Sequence, residues 1–136
     1  MNKLLLALML ALASTSAMAE WTWVVEDAGI GITVYVDRTT INKTGNIVKM
    51  LTLTDFKTVK GKAKSKFLSQ TEQAEYDCKD EKIRILSLSQ HNKNMGTGEV
   101  VFSYNTPSKG MPAAPGSANE VLWEIACGKQ ILLPKF

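Results

Sequence analysis

The stretch EYDCKDEKIRILSLSQH, residues 75–91, decides how the whole chain is read. It holds a cysteine, Cys78, ringed by Glu75, Asp77, Asp80 and Glu81, and the single histidine, His91. These are the residue types of an active site, a metal site, or a disulfide staple beside a turn. A nucleophilic cysteine needs a thiolate with a base nearby, and neighbouring acids raise a thiol pKa rather than lower it. Structural zinc sites show close ligand pairs such as C-x₂-C, and this chain has none to add to Cys78, Cys127 and His91. The acids are explained by solvated strand ends and a turn, so they do not demand a glycosidase pair. His91 falls in the polar loop HNKNMGTG and reads as an exposed turn residue. A haem or metal contact shared with Met95 is a far less specific alternative. No catalytic residue, metal ligand or cofactor is expected.

The opening MNKLLLALMLALASTSAMAE supplies the compartment. Lys3 precedes an apolar run from Leu4 to about Ala13, and Ala17-Met18-Ala19 fits the A-x-A cleavage pattern of a signal peptide over residues 1–19. The run is shorter than the roughly 20 residues that span a membrane. Cleavage after Ala19 leaves one domain, residues 20–136, with no lipidated cysteine and no later transmembrane stretch. Export to the periplasm or beyond is therefore expected. Without Lys3 the net charge drops from +3 to about +2, which gives no argument for nucleic acid. In an oxidising compartment the only two cysteines, Cys78 and Cys127, are expected to pair. The loop of about 50 residues so closed contributes roughly 4 kcal/mol in the chain-entropy model.

Outward from that stretch, alternation dominates. In Gly31–Asp37, Ile32, Val34 and Val36 point one way, and Thr33, Tyr35 and Asp37 the other. Trp21–Val25, Ile47–Phe56, Phe67–Tyr76, Lys82–Gln90 and Glu99–Tyr104 read as further strands. Asn42–Asn46 reads as a turn. Short connections between about six strands predict an antiparallel sheet. Thr106–Pro115, with three prolines, reads as a loop. After it, Ser117 with Glu120 forms a capping box, and Ala118, Val121, Leu122 and Ile125 make an apolar stripe. A helix over Ala118–Cys127 with Gly128 as its left-handed cap follows. The tail from Gln130 to Phe136 either adds an edge strand or frays. The fold class is α+β: one antiparallel sheet, one C-terminal helix and one disulfide.

Two surface features suit binding. Lys57, Lys60, Lys62, Lys64 and Lys66 form a candidate binding strip for an anionic partner, with the last four on one side if the segment is extended. The simpler reading is that these lysines guard an edge or loop against sheet-to-sheet pairing. Trp21, Trp23 and Trp123 are either surface anchors or core, and Trp123 reads as core.

Several of these signals together resemble the bacterial surface-adhesin protein E family. They are Gly31–Asp37, Glu75-Tyr76-Asp77-Cys78 with Arg84, Met95-Gly96-Thr97-Gly98, Pro115-Gly116-Ser117, Leu122-Trp123 and Ala126-Cys127. They cover the chain from about Trp21 to Lys129. The resemblance implies a six-stranded antiparallel sheet, a helix packed on it, and Cys78 bonded to Cys127. It also implies adhesion, since the namesake is an outer-membrane lipoprotein that attaches to host surfaces and matrix proteins. This sequence departs from it at the anchor. Two functions of different class are expected as alternatives: a non-enzymatic binding protein that meets host matrix protein or glycan, and a soluble periplasmic accessory protein that binds a small ligand or envelope component.

Overall fold

The computed structural model describes residues 19–129. The expected signal peptide, up to its last residue, and the tail 130–136 lie outside the described residues. Strands β1 (Trp21–Asp27), β2 (Ile32–Thr44), β3 (Ile47–Lys60), β4 (Phe67–Asp77), β5 (Lys82–His91) and β6 (Val100–Tyr104) follow one another in space as they do in sequence. Every neighbouring pair is antiparallel. A two-residue strand β7 (Met111–Pro112) pairs with the start of β5, and helix α1 (Ala118–Ala126) follows. No helix among the described residues is long and apolar enough to cross a membrane.

The alternation of β2 does what its period requires. Val34 and Val36 are buried against β3 and the helix, in one apolar cluster with Val48, Met50, Ala74, Tyr76 and Ile83. Leu122, Trp123, Ile125 and Ala126 of α1 close that cluster from above. Burial of side chains this size contributes about 1.5–3 kcal/mol each for the larger ones. Trp123 also donates its Nε1–H to the Asp77 carbonyl at 2.8 Å, fixing the helix over the end of β4. Cys78 and Cys127 are bonded, as expected, 49 residues apart.

The helix ends follow local chemistry. Ser117 Oγ accepts from the Glu120 amide at 3.2 Å. The Glu120 carboxylate reaches back one residue further than a capping box requires, accepting from the Gly116 N–H. At the other end Gly128 takes φ +68°, and the Lys129 amide donates to the Glu124 carbonyl at 2.9 Å. That closure satisfies a carbonyl the helix would leave unpaired.

Three expectations are corrected and one, the opposite face given to Asp37, is extended. The turn after β2 is only Gly45-Asn46, because Asn42, Lys43 and Thr44 pair with Lys49, Val48 and Ile47. The proline-rich segment is not all loop: Ser108 exchanges hydrogen bonds with Ile85, and Met111 pairs with Ile83. It continues the β6 edge down β5, with Pro107 and Pro112 on the outside strand, where a missing N–H is tolerated. Third, Asp37 is buried on the face away from the helix, accepting from the Glu20 nitrogen and from the amide and hydroxyl of Thr39. Fourth, the loop after His91 is not a simple return. Lys93, Met95 and Gly96 fold over the second face of the sheet. The Met95 amide donates to Asp55 and the Gly96 amide to Ser69, which itself donates to the Lys93 carbonyl. Gly96 sits at φ +66°, and a Cβ there would press against Thr71 at 3.3 Å.

Candidate functional site

The five lysines gather at one end of the β3–β4 hairpin, but not as an extended strip. Lys57 and Lys60 belong to β3, and the chain then turns at Gly61 (φ +79°) and Ala63 (φ +52°). A 3-10 turn over Ala63–Ser65 carries Lys64, with Lys62 and Lys66 at its flanks. The lysines therefore fan out from a tip instead of sharing one side. Lys62, Lys64 and Lys66 are exposed, Lys57 pairs with Glu26 at 3.4 Å, and Lys60 stands over the Phe56 ring at 5.8 Å. Phe56 meets Phe67 edge to face at 5.5 Å, which stiffens the hairpin below the tip. The tip lies against β6.

The residues of 75–91 separate. Cys78 is in the disulfide at one end of β5, and His91 ends the same strand, some 30 Å away at about 3.4 Å per residue. No nucleophile and base meet there. Asp77 Oδ1 accepts from the amides of Lys79 and Asp80 and so builds the turn. Glu75 pairs with Arg84 across β4 and β5 at 2.7 Å. Asp80 and Glu81 are exposed in the turn, Glu81 at φ +53°. His91 is not an exposed turn residue: its Nε2 lies 3.2 Å from the Thr71 hydroxyl, and its Nδ1 is shielded from solvent without a hydrogen-bond partner. Burial lowers its pKa from the ordinary 6.5. No group of three or more His, Cys, Asp or Glu among the described residues is placed to hold a metal ion.

A cleft of about 340 Å³ opens beside the β4–β5 turn, lined by Ile47, Glu75, Asp77, Lys82, Arg84 and Gly110 among others. Its size is at the low end for small-molecule sites. Two of its charges, Glu75 and Arg84, already satisfy each other.

Sequence reading missed the feature that the sheet register creates. The helix covers its face of the sheet through Met50 and Ala74 and then stops. Beyond it two cross-strand rows continue on that face: Thr52, Glu72, Leu88 and Tyr104, then Thr54, Gln70, Gln90 and Phe102. Gln90 Nε2 donates to Gln70 Oε1 at 3.0 Å, and Gln70 Nε2 donates to Glu72 Oε1. Burial raises the Glu72 pKa, opposed in part by that bond from Gln70. Phe102 and Tyr104 are 50% and 38% exposed, with ring centroids 6.0 Å apart. Alternate residues on four strands are far apart in sequence, so only the pairing register reveals these rows.

Of the tryptophans, Trp123 is core, while Trp23 on β1 is half exposed.

The family model for surface-adhesin protein E matches residues 21–128. The chain belongs to that family. The match spans the described strands and the helix, and membership implies an adhesin-like surface protein. Solved structures agree on the fold. Protein E of Haemophilus influenzae in crystal form II superposes with a TM-score of 0.63 at 12% identity, over 84% of this chain and 91% of that one. A second structure of the same protein gives 0.61 at 12% identity, over 84% and 88%. At such identity the likeness carries the architecture alone. A search of curated proteins returns no match.

Proposed function

We propose that the protein is exported by cleavage after Ala19 and acts as a non-enzymatic adhesin that meets host matrix protein or glycan through its basic tip. The observation that carries this reading is the projection of Lys57, Lys60, Lys62, Lys64 and Lys66 from one hairpin end of a surface-adhesin protein E domain. The cluster sits on the inner β3–β4 hairpin and not on the outer strands β1 and β6 with β7. A bent hairpin tip with three exposed lysines offers charge over a small area and steers an anionic surface toward itself.

The test is binding of the purified exported protein to immobilised host matrix proteins and heparin. Binding should fall steeply as salt rises, because exposed charges are screened within about 8–10 Å at physiological ionic strength. A variant with Lys62, Lys64 and Lys66 changed to Ala should lose most of it. Binding that survives both changes overturns the role of the tip.

The periplasmic small-ligand alternative is favoured by one observation, the cleft beside Glu75 and Arg84. It predicts a soluble ligand whose affinity drops in Arg84→Ala and is indifferent to the lysines.

A further inference from the structure

We propose that the part of the sheet face beyond the helix is a carbohydrate-binding surface for a neutral oligosaccharide, with Phe102 and Tyr104 as the stacking wall and the partly exposed Gln70, Gln90 and Thr54 as the polar floor, above the buried Thr52 and Leu88. The proposal adds a second ligand and a second surface to the binding protein argued for above. It rests on that reading only for the idea that the protein binds at all.

A sugar ring has an apolar C–H face and an equatorial rim of hydroxyls, each both donor and acceptor. A matching surface needs exposed aromatic rings beside planar groups that donate and accept side by side. Phe102 and Tyr104, half exposed at the edge of the sheet, give the first. The amides of Gln70 and Gln90 give the second, already aligned across β4 and β5 in a hydrogen-bonded chain that the buried Glu72 carboxyl anchors. Because each side chain holds its neighbour, little rotamer freedom is left to lose when a ligand binds.

Charge selects the class of ligand. The two rows contain one ionisable carboxyl, Glu72, and no cation. A sulfated or sialylated sugar lying on them would face that carboxyl without compensation. The lysines of the tip stand at the margin of the rows, where the 3-10 turn meets β6. A peptide or lipid would need apolar pockets, and within the rows Leu88 is the single aliphatic side chain. From β3 to β6 the floor spans three strand spacings, roughly 14 Å, which suits a short run of sugar units.

The test is saturation-transfer NMR on the purified exported protein, disulfide intact, with soluble neutral tetrasaccharides built on lactose, N-acetylglucosamine or mannose. A heparin-derived hexasaccharide serves as the charged comparison. The expected result is transfer to at least one neutral probe, unchanged by high salt and by Lys62→Ala/Lys64→Ala. Phe102→Ala and Tyr104→Ala should each weaken it about tenfold, the loss of one good contact. Both rings are half exposed, so these variants keep the fold, which circular dichroism checks. Gln70→Ala gives a second reading from the floor. No transfer to any neutral probe overturns the proposal. So does binding of heparin alone with loss in the lysine variants, an outcome that leaves the basic tip standing. Sugar binding in solution does not depend on surface display, so the two readings fail separately.

Discussion

Replacing both bonded cysteines, Cys78→Ser with Cys127→Ser, is the perturbation whose size the structure fixes best. The bond joins the turn after β4 to the end of α1 across 49 residues of chain. Opening it returns loop-closure entropy to the unfolded state, about 4 kcal/mol in the chain-entropy model. Both cysteines are only partly buried, so the sulfur-to-oxygen change adds little. A domain this small has a stability of about 5–15 kcal/mol, so a large share is lost. The midpoint of thermal unfolding should drop by roughly 15 °C. The folded state should survive, because the stripe of Leu122, Trp123 and Ile125 still packs on the sheet. Guanidinium unfolding of both proteins measures the difference. The double variant should also show a steeper denaturant slope, since its unfolded chain expands further. A loss below about 1 kcal/mol with an unchanged slope would refute the reasoning. It would mean that the loop ends are already held together in the unfolded chain.

Other perturbations follow from single contacts. Trp123→Phe keeps a ring in the core but removes the hydrogen bond to the Asp77 carbonyl, and should cost about 2 kcal/mol in denaturant unfolding. An unaltered midpoint would show that this bond does not hold the helix. Asp37→Ala strands the Glu20 and Thr39 donors and should cost about 2 kcal/mol as well. If the chain is cleaved after Ala19 as proposed, N-terminal sequencing of the exported protein should begin at Glu20, and the freed ammonium would lie 3.2 Å from Asp37. A different first residue contradicts this. The pH dependence has two opposing parts. His91 has a lowered folded pKa, so the unfolded chain takes up its proton first, and stability falls as pH drops below about 6.5. Glu72 has a raised folded pKa, so its burial penalty is relieved as pH falls toward and below that pKa. Glu72→Gln should remove the second trend and His91→Gln the first. Unfolding curves that keep both trends in the variants would refute the assignment.

What the sequence made legible was whatever is local or forced. Val34 and Val36 announce a half-buried strand by their spacing, Ser117 and Gly128 bracket the helix, and two cysteines have one way to pair. What it hid depends on register and on close approach between distant segments. The lysine segment reads as extended until the turns at Gly61 and Ala63 bend it. His91 sits in a polar stretch, yet the loop that follows folds back onto Leu53 and Ser69, half a sheet away in sequence. Asp37 alternates outward like any polar strand residue, and only the approach of Glu20 and Thr39 makes its burial tolerable. The rows ending in Tyr104 and Phe102 require four strands in correct register before they exist at all.

The central claim is that this domain works on the outside of the cell. The measurement that tests it most directly is protease accessibility of the tagged, full-length protein on intact cells, set against release by osmotic shock. The account predicts digestion on intact cells with little release by shock. Protection until the outer membrane is opened, with full release by shock, would contradict it.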